Sequence, residues 1–197
     1  MSTGLNHSTG LYHGIIIAGF GGQGILSIGR VIAQAGMGIG LNVSWLPSYG
    51  PEIRGGTAYA HVILSDSPIG SPLLNSATAL IAMNRPSFEK YIGLVVDGGL
   101  VVADGSLVDT SAIDASVLGA ARARGLRMFS PPATKLALDN GNASFANIIL
   151  AGKFIEETGA ITVEAFEAAL QATLSEKYRA LIPKEMEMLR FGMGWAG

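Results

Sequence analysis

Two glycine-bearing blocks near the N-terminus carry the residues whose types and spacing suit chemistry. The first is Gly19-Phe20-Gly21-Gly22-Gln23-Gly24. Gly19, Gly21 and Gly24 match G-x-G-x-x-G, a pattern that turns a chain sharply and brings main-chain N–H groups close to a phosphate. The positive end of a following helix then favours the anion. A purely structural turn that packs helix on sheet is the other reading of the same glycines. The second block is Ser48-Tyr49-Gly50-Pro51-Glu52-Ile53-Arg54-Gly55-Gly56. Its glycines permit unusual backbone angles and Pro51 removes a donor. Glu52 and Arg54 either pair with each other or face a ligand or a partner subunit. A loop this rich in turn residues, close to a phosphate-type turn, points to function.

The elements that must position these blocks follow from periodicity. Residues 14–18 form a short isoleucine-rich run, as a buried parallel strand does. Apolar residues at helical spacing follow, so a helix opens at about Gly24 and ends near Gly36 or Gly38. Residues 42–46 read as a second strand leading into the second block. Residues 57–64 alternate, with Ala58, Ala60, Val62 and Leu64 on one face and Tyr59 and His61 on a wetter one. A fourth strand spans residues 79–83. It ends at Asn84-Arg85-Pro86, where Pro86 suits the first turn of a short helix through Tyr91. Gly98-Gly99, flanked by Asp97 and Asp104, reads as a turn into a strand over residues 100–103. Residues 125–129 make a sixth strand. Helices are predicted over residues 133–138, 144–157, 162–174 and 184–191, with Thr162 as an N-cap and Gly159 as a C-terminal stop. Arg122, Arg124 and Arg127 read as a solvated helix end. Strands alternating with helices define an α/β, Rossmann-like three-layer domain with a largely parallel sheet flanked by helices. Residues 14–197 form one such domain, after a flexible tail over residues 1–13.

Composition narrows the function. Charged residues make up 14% of the chain and hydrophobic ones 49%, against a usual charged share of about a quarter. Either partner subunits cover part of the surface, or 27 glycines and many alanines dilute everything else. A net charge of −2 argues against nucleic acid, which selects a basic stripe. The chain has no cysteine, so it supplies no disulfide, thiolate nucleophile or cysteine-held iron–sulfur cluster. His, Asp and Glu never cluster at metal-ligand spacing, so no metal is expected. The first residues lack the basic start and apolar core of a signal peptide, and no run approaches a membrane span. A cytoplasmic location is the simplest expectation.

A dinucleotide reading meets an obstacle. NAD sites place an acid at the end of the second strand to hold the ribose, but here that strand ends Trp45-Leu46-Pro47, with no acid before Glu52. NADP would want a basic residue near residues 43–47, and there is none. Nor does a Lys-Ser/Thr follow the glycines as in a P-loop.

Taken together, Gly-Phe-Gly-Gly-Gln-Gly at residues 19–24 and Ser-Tyr-Gly-Pro-Glu-Ile-Arg-Gly-Gly at residues 48–56 resemble the gamma subunit of the 2-oxoacid:ferredoxin oxidoreductases. That family includes the pyruvate, 2-oxoglutarate, 2-oxoisovalerate and indolepyruvate enzymes. Asn84-Arg85-Pro86-Ser87 resembles the family's Asn-x-Pro-Ser element. Asn147-Ile148-Ile149-Leu150-Ala151-Gly152 resembles its Asn-x-x-x-Leu-Gly-Ala helix, with Ala and Gly reversed, and Glu157-Thr158-Gly159 also fits.

The resemblance implies a subunit that binds no cofactor alone. Thiamine diphosphate sits between alpha and beta subunits, iron–sulfur clusters in other subunits pass electrons to ferredoxin, and coenzyme A accepts the acyl group. A delta subunit also occurs in some complexes. It further implies that residues Gly19, Gly21, Gly22, Gln23 and Gly24, with Ser48, Tyr49, Glu52, Arg54, Gly55 and Gly56, line a cofactor path. The glycine turn and Arg54 are then candidate contacts for coenzyme A phosphates. No catalytic residue is expected on the chain, and the isolated chain is expected to be inactive and to homodimerise. The alternatives are the small subunit of an indolepyruvate oxidoreductase, a stand-alone NAD(P) oxidoreductase, or an assembly subunit with an empty turn.

Single residues remain open on sequence grounds. His61 has no triad partner and reads as packed or subunit-facing. Trp45 stacks on a ligand or belongs to a core or interface. Met186, Met188, Leu189, Phe191, Met193 and Trp195 form an apolar tail that docks on a partner or packs on its own domain.

Overall fold

A computed structural model describes residues 10–49 and 57–196. Six strands form one sheet: β1 (Tyr12–Phe20), β2 (Asn42–Tyr49), β3 (Thr57–Ser65), β4 (Ala77–Ala82), β5 (Val95–Ala103) and β6 (Arg127–Phe129). Their order is β2-β3-β1-β4-β5-β6. β1, β4, β5 and β6 pair in parallel, while β3 runs antiparallel to both β1 and β2. The reversal follows from connection length. A parallel crossover needs a dozen or more residues, and only residues 50–56 separate β2 from β3.

Eight α-helices cover the sheet among the described residues: α1 (Ile25–Gly38), α2 (Arg85–Tyr91), α3 (Ala115–Ala123), α4 (Ala133–Asp139), α5 (Ala146–Thr158), α6 (Val163–Thr173), α7 (Glu176–Arg179) and α8 (Ile182–Met193). Alternation along β1 sends Ile15 and Ile17 to one face and Ile16 and Ala18 to the other. The first face packs on Ile28 and Ile32 of α1, Phe154 of α5, Phe166 of α6 and Leu189 of α8. The second packs on Phe88 and Tyr91 of α2 and Ala121 of α3. The three-layer α/β expectation therefore holds. None of the described helices is long and apolar enough to cross a membrane.

Several local expectations hold with their physical cause visible. Asn84 caps α2 by accepting from the Ser87 N–H at 2.9 Å. Thr162 caps α6 through the Ala165 N–H at 3.1 Å. Gly159 ends α5 at φ 59°, in the left-handed region.

Others are corrected. Gly98-Gly99 is not a turn before β5. Both lie inside the strand, at a bulge where the register against β4 shifts between Ala77 and Ala79, and Gly98 takes φ 72°. Asp97 is a strand residue whose carboxylate accepts from Arg124 Nε at 2.8 Å. Asp104 is fully buried. It accepts from Ser106 N at 3.0 Å and from Thr134 Oγ1 at 2.5 Å, tying the end of β5 to α4. Arg124 follows α3 and is held to β5. Arg127 is not a helix end; it opens β6 and pairs with Glu157 at 3.1 Å. The helical span of α3 itself was not delimited by periodicity, because only Ala121 is buried along it.

The C-terminal apolar segment packs on its own domain through Met186, Met188 and Leu189, while Phe191 stands 46% exposed. Met186, Met188 and Leu189 are buried, and α8 lies directly on α5. A side chain at Gly152 would meet the Leu189 carbonyl, and one at Gly192 the Ile149 carbonyl. The two glycines thus let two helix backbones touch.

The wetter face expected for β3 is also dry. His61 is 7% exposed, and its Nδ1 accepts from the Leu74 N–H at 3.2 Å. Burial lowers the His61 pKa below its usual value, and that of His13 likewise. A base that is harder to protonate when folded contributes stability above the unfolded pKa, near 6.5. That contribution is lost as pH falls from there toward the lower folded value. Thermal denaturation of the chain should accordingly show a falling midpoint between about pH 6.5 and pH 5. His61→Asn, which keeps an acceptor for Leu74, should flatten that slope; an unchanged slope would exclude His61 as its source.

Candidate functional site

The first glycine block and the two described residues of the second, Ser48 and Tyr49, lie at one end of the sheet. Gly19, at the carboxyl end of β1, pairs with Ala58, which also pairs with Tyr49 at the end of β2. Gly19 and Tyr49 are therefore two strand spacings apart, ~10 Å. Ser48 is half-buried opposite Tyr59, and Tyr49 is 62% exposed. Glu52, Arg54, Gly55 and Gly56 lie outside the described residues. Trp45 leans on α1, its indole Nε1 3.1 Å from where a side chain on Gly29 would start, so it packs against its own helix.

The sheet topology makes this end a candidate site. The helix after β1 covers one face and the helix after β4 covers the other. Adjacent parallel strands whose connections diverge leave a crevice at their carboxyl ends, where α/β sheets bind ligands.

Within the crevice, Gly22 and Gly24 take φ 99° and 74°, conformations that glycine alone adopts without strain. α1 then begins with no capping side chain and no acid in its first turn. The N–H groups of residues 24–27 find no acceptor among the described residues. Unused helix N-terminal donors of this kind receive anions.

Three distant segments hold the turn in place. Gln23 folds back, its Oε1 accepting from the Phe20 N–H at 2.7 Å and its Nε2 donating to the Met83 carbonyl at 2.9 Å. Asn84 Nδ2 donates to the same Oε1 at 3.3 Å. From α5, Asn147 Nδ2 donates to the Gln23 carbonyl at 3.1 Å and fills the space beside Gly24. Gln23 therefore spends its side chain on bridging β1 to β4. Asn84 and Asn147 are site-supporting residues whose structural part no local pattern reveals. The signal available was their membership of the two short motif elements noted in the sequence.

Beside the turn, a groove of about 420 Å³ opens between α1, α5, α6 and the start of α8, within the usual range of ligand sites, roughly 300–1,000 Å³. Gly24 and Ser27 form one rim, Asn142, Ser144 and Asn147 a polar flank, and Ile28, Val31, Leu170 and Leu174 the apolar walls. Glu185 of α8 also lines it, a residue that sequence reasoning did not single out. Burial pushes its carboxyl above the ordinary range.

Among the described residues, neither block supplies the acid of an NAD site. The described end of β2 carries Pro47, Ser48 and Tyr49, and β3 separates β2 from β1. The fold and site instead define an α/β domain with an open anion-type turn at its switch point. The family model described as pyruvate ferredoxin/flavodoxin oxidoreductase matches residues 14–195, and the chain belongs to that family.

The ketoisovalerate oxidoreductase subunit VorA of Methanothermobacter thermautotrophicus is 37% identical over 182 residues, 91% of this chain and 35% of the relative. The chain thus spans about a third of the length of the ketoisovalerate relatives it matches. The crystal structure of a keto/oxoacid ferredoxin oxidoreductase gamma subunit from Geobacter sulfurreducens aligns at a TM-score of 0.75 and 26% identity, covering 93% of this chain and 95% of that one. The 2-oxoglutarate:ferredoxin oxidoreductase of Magnetococcus marinus, described with 2-oxoglutarate, coenzyme A and succinyl-CoA bound, shares the fold. Its TM-score is 0.77 at 21% identity, over 92% of this chain and 31% of that one.

Proposed function

We propose that the chain is the gamma component of a multi-subunit, thiamine-dependent 2-oxoacid:ferredoxin oxidoreductase and that its glycine turn seats coenzyme A. In that complex, alpha and beta subunits hold thiamine diphosphate, on which a 2-oxoacid loses carbon dioxide. Iron–sulfur clusters of other subunits carry the electrons to ferredoxin, consistent with the lack of cysteine in this chain. Coenzyme A takes the acyl group. This chain's part is positional: the N–H groups at the start of α1 meet the diphosphate, and Arg54 is the basic residue of the second block with the chemistry for a charge-assisted bond to it. Partner subunits meet the outer edge of β2, which pairs only with β3 among the described residues and where Trp45 and Tyr49 are exposed.

The observation that carries the reading is the uncapped first turn of α1 at the switch point, opening on a ligand-sized groove, in a chain of this family. Complexes carrying Gly21→Val or Arg54→Ala should assemble and raise the KM for coenzyme A tenfold or more, the equivalent of about 1.4 kcal/mol. Normal assembly with a wild-type KM in both variants would sink the coenzyme A assignment. Failure of the chain to co-purify with a thiamine-binding partner would count against the subunit assignment itself.

A further inference from the structure

The connection from β3 to β4, residues 66–76, touches the domain at few points. Leu74 is its one buried residue, and Ile69 is half-buried against the same core. Leu73 beside it is 61% exposed. Among the described residues, residues 68–75 make two hydrogen bonds. The Leu73 N–H donates to Ser71 Oγ within the segment. The Leu74 N–H donates to Nδ1 of His61 in β3, at 3.2 Å. His61 is therefore the one hydrogen-bonded anchor of that stretch on the sheet.

That bond depends on the charge of the ring. An imidazole nitrogen that accepts a backbone N–H carries no proton, so the ring is neutral with its hydrogen on Nε2. A proton on Nδ1 replaces the acceptor by a donor and sets two N–H groups against each other. Leu74 and His61 are both buried, and a buried backbone N–H without an acceptor is unfavourable. The titratable groups around the ring do not offset this. Tyr59 of β3 lies 5.3 Å away, ring to ring. From α2 come Tyr91 and Lys90, whose ammonium lies over both tyrosine rings. Ile16 of β1 and Leu46 of β2, which flank His61 in the sheet, carry no charge. Asp66, at the foot of the segment, accepts from the Leu11 N–H and from Ser67 Oγ. Burial is what lowers the His61 pKa, with no carboxylate holding the imidazolium.

We propose that His61 is a proton-operated latch on residues 66–76: protonation breaks the bond to Leu74 and lets the segment lift while the sheet beneath stays folded. A cavity of about 390 Å³ lies at this end of the sheet, lined by Tyr12, Ile63 and Ser65 of the strands and by Pro68, Ile69 and Leu73 of the segment. Ile63, 2% exposed in the latched state, becomes accessible on release. The latch is closed at neutral pH and opens as pH falls. The lifted state carries an ordinary histidine, near 6.5, and the latched state a lower value. The lifted population therefore rises about tenfold per pH unit between the two values and levels off below the lower one.

The test is amide hydrogen exchange of the full chain, read by NMR from about pH 7.5 to about pH 5, with each rate corrected for the intrinsic pH dependence of exchange. The Leu74 amide should lose protection about tenfold per pH unit below about 6.5, while the Ile16 amide of β1 loses far less. His61→Asn keeps an acceptor that does not titrate, and should hold the Leu74 protection level across the range. His61→Phe removes the acceptor, and should leave Leu74 weakly protected at every pH with Ile16 still protected. If Leu74 follows Ile16 throughout, the segment opens only with the whole domain and the inference is overturned. If His61→Asn keeps the wild-type pH step, it is equally overturned. Should a variant fail to fold, the wild-type chain decides. Its Leu74 protection must level off at the titration midpoint of the His61 ring resonances, and a mismatch of more than about one pH unit overturns the latch.

Discussion

Gly192→Ala is expected to destabilise the chain by about 3 kcal/mol, and Gly152→Ala by a similar amount, at the upper end of what overpacking costs. Each new methyl group would land on a backbone carbonyl of the facing helix, Ile149 for Gly192 and Leu189 for Gly152. A flexible side chain can move away from such a contact, but a helix backbone moves only by shifting the whole helix. α5 is buried along Ala146–Ile155 and α8 buries Met186, Met188 and Leu189, so a shift disturbs packing well beyond the crossing. The two sites share that crossing, and their effects should not add. Once the first methyl has separated the helices, the second meets less. Urea unfolding at constant m-value gives the measurement. A loss below about 1 kcal/mol in both single variants, the lower bound usual for overpacking, would mean that the helices separate freely.

Gln23→Ala carries the second large effect because one side chain serves three partners. It removes the acceptor of the Phe20 N–H and of Asn84 Nδ2, and the donor to the Met83 carbonyl. Net losses of about 1 kcal/mol per hydrogen bond give a destabilisation of about 2–3 kcal/mol. The functional consequence should exceed what stability explains. In the proposed coenzyme A site the turn's N–H groups would point at the anion only while the turn is pinned between β1 and β4, and preorganised donors act without having to reorganise. In the assembled oxidoreductase the KM for coenzyme A should rise about tenfold or more at temperatures where the variant remains folded. A variant that is less stable but binds coenzyme A like wild type would show that the turn is scaffold.

The elements that were legible in the sequence are those with strong local physics. All six strands were anticipated, since Ile15–Ile17 or Leu80–Ile81 have one home in a sheet buried on both faces. Caps at Asn84 and Thr162 and the stop at Gly159 were legible because their chemistry lies within a few residues. The misreadings fall where local signals were ambiguous. Gly98-Gly99 looks like a turn and is a bulge, because a glycine at positive φ serves either. The face carrying Tyr59 and His61 looked wetter because alternation cannot tell that Leu74 and Tyr91 cover it, whereas the packed reading of His61 itself holds. α3 buries too little to declare a period.

By itself the sequence determined an α/β domain, the strand–turn–helix geometry of residues 19–24, and the paired motifs that carried the family resemblance. Backbone conformation and burial preference act over a handful of residues, and those features need nothing more. The tertiary structure decided that β3 lies between β1 and β2, that Gln23, Asn84 and Asn147 lock the turn from three parts of the chain, and that Glu185 Oε2 is buried without a hydrogen-bond partner among the described residues. Those facts depend on which distant surfaces meet when apolar area is buried, and no local run of residues encodes them.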